Sequence, residues 1–453
     1  MKKTFSIGGV HPDDKKISAG CRIETLPVPK TVYISMAQHL GGPAKAVVAA
    51  GDKVKTGQVI GEPTGFISAY VHSSVSGTVK SVGLRKDIVG IPVVHVEIEV
   101  EGDEWMEGID TSDTLVTDIP QDPKFIVDRI KSNGVVGLGG ATFPTNVKLC
   151  PPPDKKADIL ILNGAECEPY LTSDYRIMIE KPRQIVVGAA LMKRVLGVGR
   201  VVIGIEENKP EAIASMGEAV KALAAVSPDY SGIEVMTLKK KYPQGGEKQL
   251  IDAVVHRQVK SMGLPIDVGA VVQNVATSLA VYDAVQKNRP LIDNTVTVTG
   301  ECFPKQSNLL VRVGTPISYI IDYLGGVPET AAKVVSGGPM MGKAISNLDA
   351  ATLKGTSSVL FLTEAQTKRQ PETNCIRCGK CAEACPMGLE PFLLNKLARN
   401  GMMDELEQNA VQDCIECGCC LYSCPAYIPL LDTIRMAKGE VIKIIRSRTA
   451  PKK

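Results

Sequence analysis

The chain has 453 residues, 44% of them apolar and 22% charged, which is the balance of a globular multidomain protein and excludes a disordered or collagen-like one. Its 52 lysines and arginines against 49 aspartates and glutamates leave a formal charge of +3, too little for a general field that recruits nucleic acid. No apolar run reaches the ~18–20 residues of a membrane helix. The nearest, Ile185–Ile205, is broken by Lys193, Arg194 and Arg200. The opening MKKTFSIGGVHPDD has basic residues but no apolar stretch, so no signal peptide is expected, and the chain is placed in the cytosol or on a cytosolic face. Charge is uneven only at the end, where seven basic residues between Arg435 and Lys453 accompany one acid, Glu440.

In chain order, residues 1–100 read as small β structure. Short runs at Val47–Ala49, Val59–Ile60, Tyr70–Val71, Thr78–Val79 and Val93–Ile98 are separated by Gly51, Gly57, Gly61, Gly65 and Gly77. The stretches AGDKVKTGQVIG and AYVHSSVSGTVKSV resemble the barrel-sandwich hybrid of lipoyl and biotinyl carriers. Those carriers need a hairpin-tip lysine, and none lies between Gly61 and Val79. The fold is expected; the carrier chemistry is not.

A polar, acidic link over Glu99–Gln121 leads into residues 115–290. There, predicted strands at Ala157–Asn163, Arg200–Glu206 and Ile233–Leu238 alternate with predicted helices at Pro182–Leu196 and Pro210–Ala225, with Asn208 as a cap, which implies a parallel sheet. Helices near Glu247–Val259 and Val275–Lys287 close this domain. Residues 291–345 suit a β-grasp module: TVTVTG from Thr295 to Gly300, a strand at Leu309–Val313, the turn Gly314-Thr315-Pro316, a short helix to Gly325 and a strand at Val334–Ser336. A polar linker, Glu364–Thr373, introduces a cysteine-rich helical segment at 366–433 and a basic tail at 434–453. In that tail Val441-Ile442-Lys443-Ile444-Ile445-Arg446 suits contact with anionic lipid or an acidic partner face, or else a solvated, frayed end.

Of 13 cysteines, nine fall between Cys375 and Cys424. Without an export signal, such a cluster points to metal binding and not to disulfides. Two runs match, Cys375-x2-Cys378-x2-Cys381-x3-Cys385-Pro386 and Cys414-x2-Cys417-x2-Cys420-x3-Cys424-Pro425, repeated at an interval of 39 residues. Structural zinc uses two CxxC pairs without a third step, and no histidine lies in this region. The spacing instead wraps three corners of a [4Fe–4S] cubane, while the fourth cysteine ligates the other run's cluster. Cys375, Cys378, Cys381 and Cys424 are assigned to one cluster; Cys414, Cys417, Cys420 and Cys385 to the second. Cys419 is surplus and reads as a packed free thiol. Cys21, Cys150 and Cys302 read as core.

Upstream runs Gly134-Val-Val-Gly137-Leu-Gly139-Gly140-Ala-Thr-Phe143-Pro144-Thr-Asn-Val-Lys148. Its glycines let backbone N–H groups approach a phosphate or ring, and Lys148 supplies positive charge. It is neither a Walker loop nor a dinucleotide fingerprint, since no Gly-Lys-Ser/Thr follows and no clear strand precedes it. The run resembles the flavin loop GRGGxGFPxxxK of the NADH-oxidising flavoprotein of respiratory complex I. Three blocks follow in that family's order: Asn163-Gly-Ala-Glu166-Cys167-Glu168-Pro169 is similar to NADESEP, Gly245-Gly246-Glu247 to GEE, and Gln273-Asn274-Val275-Ala276-Thr277 to NNVET. The resemblance implies FMN on Gly137, Gly139, Gly140, Lys148, Asn163, Asn274 and Thr277, and nicotinamide nucleotide contact by Phe143, Glu166 and Glu168. Read without it, the two glutamates are a solvated turn before Pro169. Leu138, Ala165 and Lys248 depart from that family, where Arg, Asp and a second Glu are typical. A flavin takes two electrons and releases them singly, which is what joins a nicotinamide nucleotide to one-electron clusters.

The whole order, with the words GGVHP, GGATFPTNVK, NGAECEP and VSGGPMMG, closely resembles the RnfC family of the Rnf electron-transport complex over residues 1 to about 432. That resemblance implies a peripheral subunit on the cytoplasmic side of the cell inner membrane, within a complex coupling ferredoxin:NAD+ electron transfer to Na+ or H+ translocation. The ion path then lies in other subunits. Alternatives are a soluble flavin and iron–sulfur reductase of the cobalamin-reductase kind, whose hybrid-like domain is expected near the C-terminus, and a hydrogenase or formate-dehydrogenase flavoprotein, which the GGVHP start opposes. A cluster-bearing scaffold without an active flavin site is the non-enzyme alternative.

Overall fold

The computed structural model describes residues 3–449. Near the N-terminus, Thr31–Ser35, Pro92–Gly102, Ser76–Lys86 and Lys53–Val54 pair in that order as an antiparallel sheet, and Lys45–Ala46, Val59–Glu62 and Val71–His72 form a second. Alternation turns Val32, Ile34, Val79, Val96 and Ile98 inward against Ile60 and Val71, the pattern of two sheets sharing one core. Val47–Ala49 is not a strand, because the Asp52 carboxylate accepts from Ala49 N at 2.8 Å and draws these residues into the Gly51 turn. The strand Pro92–Gly102 runs on through Glu99, so the acidic link starts after it.

The first residues lie outside this domain. Lys3 bridges to Leu238, Val10 to Tyr242, and Ile23–Thr25 joins the β-grasp sheet beside Ser307–Arg312.

The α/β domain holds a fully parallel sheet with Ile159–Gly164 inside, Arg200–Glu206 and then Ile233–Leu238 on one side, and Ala270–Asn274 on the other. That last strand was not expected. Its signal is the run Ala270-Val271-Val272 after Gly269, eclipsed by the stronger helix that follows. The helix Pro182–Leu196 has Pro in its first turn, ends at Gly197 with φ +64°, and is buried without interruption from Ile185 to Met192. It crosses the helix Val275–Gln286 so closely that a Cβ on Gly188 would lie 1.9 Å from the Ser278 carbonyl oxygen. The helix Pro210–Ala224 is preceded by Lys209; Asn208 is no cap, and its amide donates to Asp14 at 2.9 Å instead. The helix Glu247–Val255 stops before the expected Val259 because His256 turns to φ +56°.

The β-grasp sheet contains Asp293–Thr299, Ser307–Arg312 and Ala331–Ser336 with the helix Ile317–Tyr323 packed on it. A further strand, Ser358–Thr363, inserts between Asp293–Thr299 and Ala331–Ser336, and Phe361 stacks on Phe303 at 4.5 Å. At the C-terminus, Pro391–Arg399, Met403–Gln408 and Leu430–Thr449 pack around Leu394, Leu406 and Ile434. The basic tail is therefore a docked helix up to Thr449. Arg435 and Lys438 pair with Glu416, and Arg448 with Asp404 and Glu407, so these cations are spent internally. Its last four positions lie outside the described residues. Among the described residues no helix is long and apolar enough to cross a membrane.

The close helix crossing predicts opposite signs for two like substitutions. Gly188→Ala should lower stability by about 1–3 kcal/mol through overpacking. Gly217→Ala, in a helix with open space around it, should raise stability by roughly 0.5–1 kcal/mol. Thermal melts of the two variants check both.

Candidate functional site

Strands leave Ile159–Gly164 in opposite directions, one towards Arg200–Glu206 and one towards Ala270–Asn274. Loops at the carboxyl ends of Ile159–Gly164 and Ala270–Asn274 therefore diverge and open a crevice, the usual ligand position in a parallel sheet. Asn163 and Asn274, direct register partners, stand at its floor. Asn274 accepts from Ala276 N at 2.6 Å and so caps the following helix, while its amide donates to Asp174 at 2.6 Å. Asn163 donates to the Gly245 carbonyl at 2.8 Å.

The glycine loop folds over this floor. Gly137 N donates to the Phe143 carbonyl at 2.8 Å, and Leu138 N donates to the hydroxyl of fully buried Thr277 at 2.8 Å. Gly139 has φ +79°, and a Cβ there would stand 2.8 Å from the Asn274 amide nitrogen; Gly140 meets nothing within 4 Å. Lys148 pairs with Glu247 at the start of the Glu247–Val255 helix. The crevice thus offers open space at Gly140, backbone donors and one cation, a donor set that suits the phosphate and ring of FMN. Thr277 acts by holding the loop through Leu138.

The two acids of the Asn163–Pro169 block are structurally engaged. The Glu166 carboxylate accepts from Asp174 N at 2.8 Å and Tyr175 N at 3.1 Å, closing the start of the helix Ser173–Glu180. Glu168 accepts from Met340 N at 3.1 Å and Met341 N at 2.7 Å in the VSGGPMMG segment, and burial raises its pKa to about 7. Neither is part of a solvated turn. Half-buried Lys16, from the N-terminal segment, binds the carbonyls of Glu166, Glu168 and Leu171 at 2.8, 2.8 and 2.6 Å, and desolvation of its ammonium lowers its pKa to about 8. Lys16 and Asp174 were missed in the sequence; burial beside Glu166 pushes Asp174 up to about 7. Their only local signal is the Thr-Ser-Asp that starts a helix. Of the departing residues, Leu138 joins the core, the Ala165 carbonyl accepts from Lys209 at 2.6 Å, and Lys248 reaches the Lys260 carbonyl at 3.2 Å.

Cys375 and Cys378 are exposed, Cys381, Cys414 and Cys424 half-buried, and Cys385, Cys417 and Cys420 buried. The charge of Cys385 acts on Cys414 and Cys420, and that of Cys417 on Cys385, Cys414 and Cys420; Cys424 acts on Cys381. Cys381, Cys414, Cys420 and Cys424 pack in one apolar cluster, so the two motifs share a single core. Burial pushes Cys414 up to about 11, whereas a hydrogen bond with Cys419 holds Cys417 below the usual thiol range. Cys419 itself is fully buried. Cys150 is exposed and not core. Among the described residues no three His, Cys, Asp or Glu side chains stand close enough to share a single metal ion. The cage sits directly on the α/β domain: Tyr242 Oη donates to the Cys417 carbonyl at 2.9 Å, and Gln249 to the Pro386 carbonyl at 3.0 Å.

Residues 130–283 match the Nuo51 FMN-binding domain, 3–103 the RnfC barrel-sandwich hybrid domain, 295–344 the SLBB domain and 367–425 the 4Fe-4S dicluster domain. The chain is 45% identical over 410 residues to the RnfC-type component of the proton-translocating ferredoxin:NAD(+) oxidoreductase complex of Clostridium ljungdahlii, covering 90% of this chain and 87% of that protein. It is 43% identical over 440 residues to the corresponding component of the Na(+)-translocating ferredoxin:NAD(+) oxidoreductase complex of Acetobacterium woodii, covering 96% of each. The chain belongs to the RnfC family. An NAD+-reducing [NiFe]-hydrogenase in the H2-reduced state shares the fold, with a TM-score of 0.52 and 17% identity over 74% of this chain and 68% of that one. The expected architecture therefore holds, hybrid domain first and dicluster domain last. FMN and two [4Fe–4S] clusters are the cofactors that these domains carry.

Two substitutions test the residue assignments. Cys385→Ser should deplete the cluster held by Cys414, Cys417 and Cys420 and spare the other; anaerobic iron analysis with paramagnetic resonance of the reduced chain reads which signal is lost. Gly140→Trp, which fills the open space of the crevice, should leave the purified chain without bound FMN while its melting temperature stays near wild type.

Proposed function

We propose that this chain is the peripheral electron-transfer subunit of a membrane complex that couples ferredoxin:NAD+ oxidoreduction to Na+ or H+ translocation. The observation that carries this reading is the shared wall between the flavin crevice and the cysteine cage. Tyr242 and Val10 pack with Cys417 and Cys419 in one apolar cluster, against which Cys167 of the Asn163–Pro169 block also packs. Bound FMN would supply the exchange of electron pairs with NAD(H) for single electrons to the clusters.

The chain's own residues bind, orient and shield. The Gly139 and Gly140 amides and the Lys148 ammonium would receive phosphate, with Gly137 N and Leu138 N holding the loop in place, and the Asn163 and Asn274 amides, locked by Gly245 and Asp174, present fixed dipoles to a ring. Phe143, Glu166 and Glu168 border the nucleotide side; with both carboxylates committed to backbone N–H groups, the acids shape that side through the turns they hold. Cys375, Cys378, Cys381 and Cys424 form the cluster nearer solvent, and Cys414, Cys417, Cys420 and Cys385 the one against the α/β domain. With no spanning helix among the described residues, attachment to the cytoplasmic side of the inner membrane falls to the other subunits.

Anaerobic NADH should bleach the flavin absorbance of the isolated, FMN-loaded chain within stopped-flow time. The same chain in gently broken cells should sediment with membranes together with other subunits. Bound flavin that NADH leaves unbleached would return the scaffold reading, and recovery wholly in the soluble fraction would return the soluble reductase.

A further inference from the structure

In the hybrid domain the strands Ser76–Lys86 and Pro92–Gly102 form a hairpin that outlasts its sheet on one side. Thr31–Ser35 covers Pro92–Gly102 from Thr31 opposite Glu99 to Ser35 opposite His95, and Met36 N then donates to the Val94 carbonyl at 2.9 Å. On the other side Lys53–Val54 reaches only Thr78 and Gly77, and the last bonds join Val79 to Gly51 and Asp52, both at 2.8 Å. A bulge between Val79 and Ser81 then twists the strand away. Beyond it, among the described residues, the outer backbone edge finds a partner again only at the Lys86 carbonyl, which accepts from the Asn347 amide at 3.1 Å.

The register fixes where the unused groups point. A residue in an antiparallel sheet turns its N–H and its C=O to the same side. Val94 turns to Met36, so Leu84, opposite Val94, turns away from Pro92–Gly102, and so does Val82, opposite Val96. Two N–H and two C=O groups therefore face outward in a row. Their side chains are apolar as well. Val82 lies on the face of the core residues Val79 and Val96, but the hairpin runs past the second sheet, and Leu84 is 73% exposed beside exposed Val94. A Cβ on Gly83 would meet nothing within 4 Å, which leaves room for another backbone. The edge is also held in place. The Arg85 guanidinium lies 3.6 Å above the Tyr33 ring and donates to the Asp349 carbonyl at 2.8 Å, while Asp87 accepts from Val89 N and Ile91 N at 2.9 and 2.8 Å and closes the turn. Folded proteins usually shorten, cover or charge such an edge, because a rigid, apolar and uncovered one is a template for a further strand.

We propose that this edge takes up an extended segment of another subunit as an added strand, with apolar residues two apart beside Val82 and Leu84 and an acid at the end that meets Lys86. Only an extended backbone supplies donors and acceptors at this spacing; a lipid surface does not. The strand Ser76–Lys86 carries three cations and no acid. Arg85 is engaged with Asp349 and Lys80 with Glu99 at 3.0 Å, which leaves Lys86 for the segment's acid. A second copy of this chain fits poorly. Antiparallel pairing about Gly83, the register that joins all four groups, sets Lys80 of each copy against Lys86 of the other. This inference rests on the reading that the chain works within a membrane complex.

The test is amide hydrogen exchange, read residue by residue by mass spectrometry, on the cofactor-loaded full chain purified alone and on the same chain retained in its membranes. Alone, the Val82 and Leu84 amides should exchange freely, while those of Gly83 and Arg85, which face Pro92–Gly102, exchange slowly. In membranes Val82 and Leu84 should slow by about tenfold or more, with Gly83 and Arg85 unchanged. That alternation is the signature of an added strand. No slowing, or equal slowing from Val82 to Val94 as a flat protein contact or a lipid surface would give, overturns the proposal. So does slowing in the isolated chain that grows with its concentration, which would put a second copy on the edge. Leu84→Pro removes one outward N–H and leaves the hairpin's own bonds in place. It should melt, bind FMN and be bleached by NADH as wild type is, but be recovered with membranes about fivefold less, the scale of one lost hydrogen bond. Equal recovery of the folded variant overturns the proposal too; if the variant melts early, the wild-type exchange pattern decides. A wild-type chain that does not sediment with membranes at all would remove the membrane-complex reading and this inference together.

Discussion

An electron moves between two buried groups only when the protein holds them at a fixed short range, and here that constraint falls on the N-terminal strap. Gly9 N donates to the Ala384 carbonyl at 2.9 Å, while Val10 and Tyr242 exchange backbone hydrogen bonds at 2.8 and 2.9 Å. Gly8, at φ +64°, passes so close to Cys385 that a Cβ would lie 2.4 Å from its carbonyl. Any side chain at that position would push the cage off the α/β domain. A segment far from both sites in the sequence thus fastens one to the other, and the strands and helices on either side can serve as rigid supports because this joint does not slide.

The same economy appears in how buried charge is used. Lys16 binds three carbonyls around the Asn163–Pro169 turn, and Lys209 joins the Ala165 carbonyl to Glu206. Lys354 reaches the carbonyls of Tyr70 in the hybrid domain and Gly134 at the root of the glycine loop, at 2.9 and 2.7 Å, and burial lowers its amine to about 7. A carbonyl that faces a neighbouring domain has no strand or helix partner and is costly to leave bare. A long cation satisfies two or three such groups at once and fixes the angle between domains. The loops that border the crevice are held this way as well as by the α/β core that Leu138 joins.

The hybrid domain shows how a fold is kept after its usual chemistry is gone. Its sheets and inward-facing valines are those of a carrier, but the tip that would present a lysine instead packs Ala69 into the α/β core and leaves the Phe66 ring exposed. The β-grasp module is likewise completed from outside its own stretch, by Ile23–Thr25 on one edge and Ser358–Thr363 in its interior.

What could be read along the chain was whatever is encoded at short range. Cysteine spacing belongs to single loops, the glycine run to one turn, and the alternation of apolar runs to individual strands and helices, so the domain types and the cofactors were legible. The strand Ala270–Asn274 and the strand Ser358–Thr363 were not, because five or six residues carry too little periodicity to stand out beside longer neighbours. Tertiary structure alone decided that Glu166 and Glu168 are tied to backbone N–H groups, that Thr277 works through Leu138, that Asp174 and Lys16 belong to the site, and that Arg435, Lys438 and Arg448 of the basic tail pair with Glu416, Asp404 and Glu407. Each of those outcomes depends on which distant backbone groups arrive beside a side chain, and no local pattern records that arrival.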